Sequence, residues 1–448
     1  MTYKEAKEFI EEANQYGSVL GLTSITELLK RLGNPQNHLK IIHIGGTNGK
    51  GSTGAFITSI LTAAGYRVGR YISPTVFSYR EKIQISEGIN TYYITKEGIQ
   101  EAIKRIKPIC QEMVNDGYDH PTTFEIETAM TFIYLLSQQV DFLVLEVGMG
   151  GRLDATNVIA NPICTVFTSI SMDHMQYLGD SLEKIAQEKA GIIKPKSPVI
   201  SCNQNSAVIK ILKDKADECK SSFIIADFNN VHKVEYSLEE TRFIYPSNKE
   251  AQEFKIRLIG KHQVKNAILA IEVAKVLNKV LNNHNYFISD EAILSGLYQA
   301  KWDGRFQVLD TKPYFIIDGA HNEEAAINLR ETVEIYFTNK RLIFMIGVLE
   351  DKDYKSILKI MAPLADTIIT LTPENYRALA SDKLANEARL YCERVFDCGN
   401  IEQALEMAYA EAKADNIILA FGSLSFLGSL VKSLRMRKVK HTIKINHR

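Results

Sequence analysis

Short apolar runs alternate with longer stretches of helical spacing along most of the chain, and that alternation sets the reading of the fold. Residues 40–44 read as a short buried strand entering a Gly-rich turn, and residues 52–64 carry the apolar spacing of a helix. The next strand falls at 66–71. A helix at 124–138 precedes the apolar strand 140–145, and a helix at 182–191 lies between short strands at 163–169 and 198–201. Strands that alternate with helices predict a mainly parallel sheet covered on both faces. Residues 221–257 differ, being more polar, more alternating and without long helical spacing. They predict antiparallel strands packed on the first domain. Helices follow at 262–277 and 290–299.

The strand–helix alternation restarts after residues 296–303, with strands at 314–317, 342–346, 367–371 and 416–420. The chain has 448 residues, and one hydrophobic core rarely grows past roughly 250–300. Two α/β domains are therefore expected, at 1–298 and 299–448. The basic tail at 432–448 reads as a solvated terminus.

Composition narrows the partners. Apolar residues make up 45% and charged residues 24%, as in ordinary globular proteins. With 53 basic against 53 acidic residues, no global field argues for nucleic acid or an anionic membrane. The six cysteines form no CxxC pair and match no zinc spacing, so they read as free thiols in a reducing compartment. The N-terminus is amphipathic and charged without an apolar signal region. No apolar run approaches the roughly 20 residues that span a bilayer. A cytoplasmic protein is expected.

The strongest local signal is Gly45-Gly46-Thr47-Asn48-Gly49-Lys50-Gly51-Ser52-Thr53. Glycines let the backbone turn tightly and approach a phosphate, while successive N–H groups and a helix N-terminus face the anion. Thr47, Asn48, Gly49, Lys50, Gly51 and Ser52 are thus candidates to bind ATP, with Lys50 on the β/γ-phosphates and Ser52 or Thr53 near Mg²⁺. The loop departs from the general Walker A form, with Ile44 at the leading Gly position and Gly51 between Lys50 and Ser52. Glu146 ends an apolar strand, as a carboxylate that holds Mg²⁺ does, although a structural Glu fits the same place. Asp173-His174 follows the strand at 163–169, in the kind of C-terminal loop that builds sites.

The run Gly46–Ser52 resembles the phosphate loop of the Mur ligase superfamily, in the form used by folylpolyglutamate synthases. The resemblance continues at 71–74, 122–125, Glu146 to Asn157, Asp173-His174, 188–195, Gly260 to Gln263 with Asn266, Gly304-Arg305 and Asp318-Gly319-Ala320-His321-Asn322. Each piece is weak or moderate alone, but their order and spacing are specific. The resemblance implies an N-terminal P-loop ATPase domain with a mainly parallel sheet and a smaller C-terminal Rossmann-like α/β domain. It implies that Ser73, Glu146 and His174 surround Mg²⁺ and that Lys189 is carbamylated and binds a second Mg²⁺. It also implies that Asn266 reaches the adenine, Arg305 the phosphates and Asp318 the nucleotide side of the cleft.

The segment Arg152-Leu153-Asp154-Ala155-Thr156-Asn157 is similar to that of bacterial members acting on both dihydropteroate and reduced folates. Thr122, Thr123, Phe124 and Glu125, with Leu153, Asp154 and Ala155, match the region that receives the pterin. A Gly-rich turn with an Asp cap remains the alternative there. The implied reaction joins L-glutamate to a folate-type carboxylate through an acyl phosphate, at the expense of ATP, in an enzyme that is usually monomeric. His321 stands open between orienting or deprotonating the glutamate amine and a structural place near a turn. Two other readings compete. A cell-wall precursor ligase shares the ATP machinery but usually carries an extra N-terminal domain, whereas here the loop begins at residue 45. A nucleotide-switched binding protein explains the loop but leaves Arg305 and Asp318 idle.

Overall fold

The computed structural model describes residues 1–446 except 18–20, 247–250 and 283–285. The last two residues of the basic tail, and part of the stretch expected to form antiparallel strands, lie outside the described residues. The first strands are β1 (Ile41–Gly45), β2 (Val68–Tyr71), β3 (Ile83–Glu87), β4 (Asn90–Tyr93), β5 (Phe142–Glu146), β6 (Cys164–Phe167), β7 (Val199–Cys202) and β8 (Phe223–Ala226). They form one sheet in the order β4-β3-β2-β5-β1-β6-β7-β8, in which only β3 runs against the other strands. The helices around it are α1 (Tyr3–Glu12), α2 (Thr23–Arg31), α3 (Lys50–Ala63), α4 (Lys96–Asn115), α5 (Thr123–Ser137), α6 (Met175–Leu178), α7 (Leu182–Ala190) and α8 (Ser206–Glu218).

Successive strand residues face opposite layers, as the pleat requires. Ile42, Ile44 and Val144 join one core, while Ile41, Leu143 and Leu145 join the other. Burial on both faces explains why these strands read as unbroken apolar runs. The first layer is closed by α9 (Lys261–Leu281) and α10 (Asp290–Gln299), the second by α1, α2, α4 and α5.

The stretch at 221–257 divides. β8 joins the main sheet in parallel with β7, whereas β9 (His232–Tyr236), β10 (Thr241–Pro246) and β11 (Ala251–Ile256) form a separate antiparallel sheet. Phe223–Ala226 is a four-residue run, too short for its period to reveal which sheet it pairs with.

The remaining strands are β12 (Gln307–Thr311), β13 (Tyr314–Ile317), β14 (Leu342–Ile346), β15 (Thr367–Thr370), β16 (Val395–Asp397) and β17 (Ile417–Phe421), in the order β12-β13-β17-β14-β15-β16. Only β12 is antiparallel. The helices α11 (Glu323–Tyr336), α12 (Tyr354–Met361), α13 (Ser381–Ala388), α14 (Ile401–Glu411) and α15 (Leu424–Asn446) flank this sheet. Among the described residues no helix is long and apolar enough to cross a membrane.

Helix α10 lies directly against α3. A Cβ on Gly296 would come within 2.6 Å of the Ile60 backbone nitrogen, and neither helix has a flexible atom there to move. Gly296→Ala is expected to destabilise the fold by about 2–3 kcal/mol, as overpacking of a close helix contact does, and denaturant unfolding measures it.

His43, fully buried in β1, puts its Nε2 2.9 Å from the Thr156 hydroxyl. That hydroxyl in turn donates to the Asp154 carboxylate at 2.5 Å, so His43 Nε2 carries the proton. Burial, then the Lys194 charge, pushes the His43 pKa down to about 3. The unfolded chain takes up this proton below its ordinary pKa of about 6.5 and the native chain does not, so stability falls as pH drops from 6.5. Between pH 7 and 5 the loss is about 2 kcal/mol at about 1.4 kcal/mol per unit. His43→Gln removes this dependence. The stability gap between wild type and variant in melts at pH 7 and pH 5 is expected to narrow by that amount.

Candidate active site

The Gly-rich segment leaves β1 and becomes α3 at Lys50. Two of its glycines are dictated by space. Gly46, at φ +137°, stands against the Thr168 side chain, and a Cβ on Gly49, at φ +88°, would sit 2.6 Å from Asn266 Oδ1. The loop is tied to the segment after β6. Thr47 N donates to Ser169 O at 2.6 Å, and the Thr47 hydroxyl and Ser171 backbone exchange two bonds of 3.1 Å.

One cavity gathers the loop residues Thr47, Asn48, Gly49, Lys50, Gly51 and Ser52 with Ser73, Glu146, His174, Lys189, Asn266, Arg305, Asp318 and His321. Its floor is cationic. Lys50 Nζ donates to Gly46 O at 3.2 Å, and the buried Lys189 Nζ donates to the same carbonyl at 2.9 Å. Burial, then the charge of Lys50, brings the Lys189 pKa down to about 7. Glu146 faces this floor. Burial raises its carboxyl above the usual range, against the pull of Lys50, Arg70 and Arg305.

Asn266 lines the cavity and is also held by local bonds. Its Oδ1 accepts from the Thr53 hydroxyl at 3.4 Å, and its Nδ2 donates to Gln263 Oε1 at 3.0 Å, which packs it beneath Gly49. Asp318 is likewise committed. Its two oxygens accept from Phe306 N and Ala320 N, each at 2.8 Å, and so fix the turn that carries Arg305.

The second α/β unit reaches the loop through side chains whose roles the sequence does not announce. Asn48 and Asn322 exchange amide bonds of 3.1 and 3.0 Å, and Asn48 Nδ2 also donates to Glu324 Oε2 at 2.6 Å. Asp173 accepts from Lys352 Nζ at 2.8 Å and from Asn322 Nδ2 at 3.1 Å. Burial alone would raise the Asp173 carboxyl, but the charge and hydrogen bond of Lys352 outweigh it and hold it well below the usual carboxylate range. Lys352 follows β14, so a charged residue after an apolar strand is the only sequence signal it gives.

His174 and His321 flank Asp173, with Nε2 atoms 4.0 and 3.9 Å from Asp173 Oδ2. Burial, then Lys352, lowers both to about 4. His321 Nδ1 lies 2.7 Å from Gly319 O, so it carries the proton and leaves a lone pair on Nε2.

The residues matched to the pterin region do not line this cavity. Thr122 and Glu125 form the capping box of α5, and Glu125 Oε1 also accepts from Ile25 N at 3.1 Å. The Thr123 hydroxyl donates to Asn14 Oδ1 at 2.9 Å. The Phe124 ring packs on Gly148, where a Cβ would meet its Cε2 at 2.9 Å. Asp154 Oδ1 accepts from Thr156 N and its hydroxyl, and Oδ2 accepts from Met149 N at 2.8 Å. These partners make Asp154 the cap of the turn that holds Leu153 and Ala155 beside Met149 and Gly148, which do line the cavity.

Residues 44–274 match the Mur ligase middle domain, and residues 304–424 match the Mur ligase glutamate ligase domain. The chain is 34% identical to the dihydrofolate synthase/folylpolyglutamate synthase of Bacillus subtilis over 97% of this chain and 99% of that one. Folylpolyglutamate synthase of Mycobacterium tuberculosis, solved with ADP and AMPPCP, superposes with a TM-score of 0.84 at 29% identity, covering 96% and 98% of the two chains. Escherichia coli FolC, solved with DHPP and ADP, gives 0.83 at 27% identity over 97% and 98%. Phosphate loop, cross-unit contacts and full-length similarity agree: the chain belongs to the Mur ligase family, in its dihydrofolate synthase/folylpolyglutamate synthase branch.

Proposed function

We propose that this chain is an ATP-dependent ligase that joins L-glutamate to the carboxylate of dihydropteroate and of reduced folates, with its two catalytic units divided near residues 298 and 299. The observation that carries the reading is the single cavity in which Lys50 and Lys189 from one unit face Arg305 and His321 from the other. The names of the Bacillus subtilis and Escherichia coli relatives, and the DHPP bound to the latter, support the substrate class.

The chemistry follows from the charges. The substrate carboxylate attacks the γ-phosphorus in line, ADP leaves, and an acyl phosphate results. Lys50 and Arg305 offset charge on the transferring group. The glutamate amine then attacks the acyl carbon and phosphate departs. His321, neutral with a free Nε2 lone pair, is too weak a base to keep a proton at pH 7. It suits the task of accepting a hydrogen bond from the amine and orienting it.

Mg²⁺ prefers oxygen donors. Among the described residues no three His, Cys, Asp or Glu cluster for a metal, so an ion here relies on a mixed set. Glu146 offers a buried carboxylate, Ser73 a hydroxyl and His174 an uncharged imidazole, all on the cavity wall. These residues fit such an ion and would hold it there. Bound there, it neutralises charge on the phosphates. Lys189, with a pKa of about 7, is uncharged often enough near neutrality to add CO₂ and release a proton, and the carbamate supplies a second anionic ligand. The free cysteines and the lack, among the described residues, of a membrane-crossing helix agree with the cytoplasmic setting we propose.

Consumption of ATP with dihydropteroate, tetrahydrofolate or a UDP-muramoyl peptide, each with and without glutamate, tests the reading. Turnover that needs both a folate-type acceptor and glutamate is expected. Hydrolysis indifferent to glutamate indicates a nucleotide switch, and use of the muramoyl peptide moves the protein to the cell-wall branch. Lys50→Ala is expected to lower kcat at least about a hundredfold, the usual scale for losing a preorganised charge in a dry site.

Asp154 shapes the pterin region through its turn, with Phe124 and Ala155 the nearer walls. Asp154→Ala is therefore expected to reduce kcat/KM for dihydropteroate and for glutamate extension by similar free energies. A loss concentrated on dihydropteroate would establish direct contact between Asp154 and the pterin.

A further inference from the structure

Arg70 projects from β2 and is only 3% exposed, yet among the described residues no carboxylate pairs with it directly. Buried arginines are rare without such a partner. Its guanidinium instead donates to the Gly51 carbonyl in the first turn of α3 and lies 4.0 Å from the centroid of the Trp302 ring. A cation stacked on tryptophan away from water is among the stronger cation–π geometries. Burial lowers the Arg70 pKa to about 10, against the opposing charge of Glu146.

The surroundings are built for this stack. A Cβ on Gly51 would meet the indole at 2.8 Å, and one on Gly54 would meet Arg70 Nη2 at 3.1 Å. Two glycines of the phosphate-loop helix thus make room for a contact whose side chains, Arg70 and Trp302, do not line the cavity that holds Lys50.

Trp302 is the chain's one tryptophan, and it lies in the segment that leaves α10 and enters the second unit. Gly304, at φ +72°, turns the chain two residues later, and Arg305 follows. The Gly304 carbonyl accepts from Gly319 N at 2.9 Å and from Arg305 Nη1 at 3.2 Å. Trp302 therefore belongs to the packing around the phosphate loop, and Gly304 already belongs to the packing around Arg305.

We infer that Arg70 and Trp302 are positioning residues for phosphoryl transfer: their stack pins the crossing segment to the phosphate-loop helix and so sets where the Arg305 guanidinium stands. The inference rests on the reading of Arg305 as a phosphate-contacting group. Displacing such a group by about 1 Å is enough to slow a reaction by about a hundredfold.

The test is a double-mutant cycle on kcat and on KM for ATP, with melting temperature as the check on folding. Trp302→Leu keeps the bulk and loses the ring face. Trp302→Phe keeps a ring. Arg305→Ala removes the group being placed. Trp302→Leu is expected to lower kcat about tenfold or more with little change in KM, Trp302→Phe to recover most of it, and Trp302→Leu added to Arg305→Ala to cause no further loss. Should the leucine variant fail to fold, Arg70→Gln enters the same cycle with the same expectation. Wild-type kcat in the folded variant, or losses that multiply independently of Arg305, overturn the inference alone. Wild-type kcat in Arg305→Ala overturns both the reading of Arg305 and the inference.

Discussion

Asp173 keeps its charge in a place where burial opposes it, and the arrangement of the site follows from how that charge is held. Lys352 and Asn322, both from the second unit, donate to it, and the two flanking imidazoles are kept uncharged beside it. Removing one partner of a buried ion pair typically costs about 3–5 kcal/mol because the other charge is stranded. The contact therefore fixes the relative position of the units more firmly than the amide exchange between Asn48 and Asn322 alone. It also explains why His321 and His174, from different units, face the same space.

A second electrostatic tension lies a few residues away. Two ammonium groups donate to the Gly46 carbonyl, in surroundings dry enough to bring one of them near neutrality. Like charges so close are relieved by an anion, and the loop that lines the same cavity leads into the N-terminus of α3. The site is thus strained toward polyphosphate before any specific contact is counted. Glu146, at the end of β5, sets a buried carboxylate against this positive region.

Much of this was legible in the sequence, because some features are local. The Gly-rich turn between strand and helix, the carboxylate ending β5 and the restart of strand–helix alternation are all encoded within a few consecutive residues. Fourteen residues singled out from sequence and resemblance meet in one cavity. What escaped was mostly long-range. Asp173 and Lys352 are 179 positions apart, and nothing in either local pattern announces the other. In the β3–β4 hairpin, β4 is a four-residue edge strand that is wholly exposed, so it carries no apolar alternation to read. At Asp154 the sequence leaves a pterin-region match beside a turn cap, and Met149 and Thr156 occupy its oxygens as a cap requires, a choice that depends on turn geometry.

The six-stranded sheet begins at residue 307 and draws no strand from earlier in the chain, so one short segment joins it to the unit that holds the phosphate loop. Such a tether makes the meeting of Arg305 with the loop intramolecular, at an effective concentration set by tether length and stiffness. A tight turn at Gly304, after α10 and its close contact with α3, keeps that concentration high. The ion pair and the amide bonds between the units are thereby reinforced by the short covalent connection that keeps their partners close.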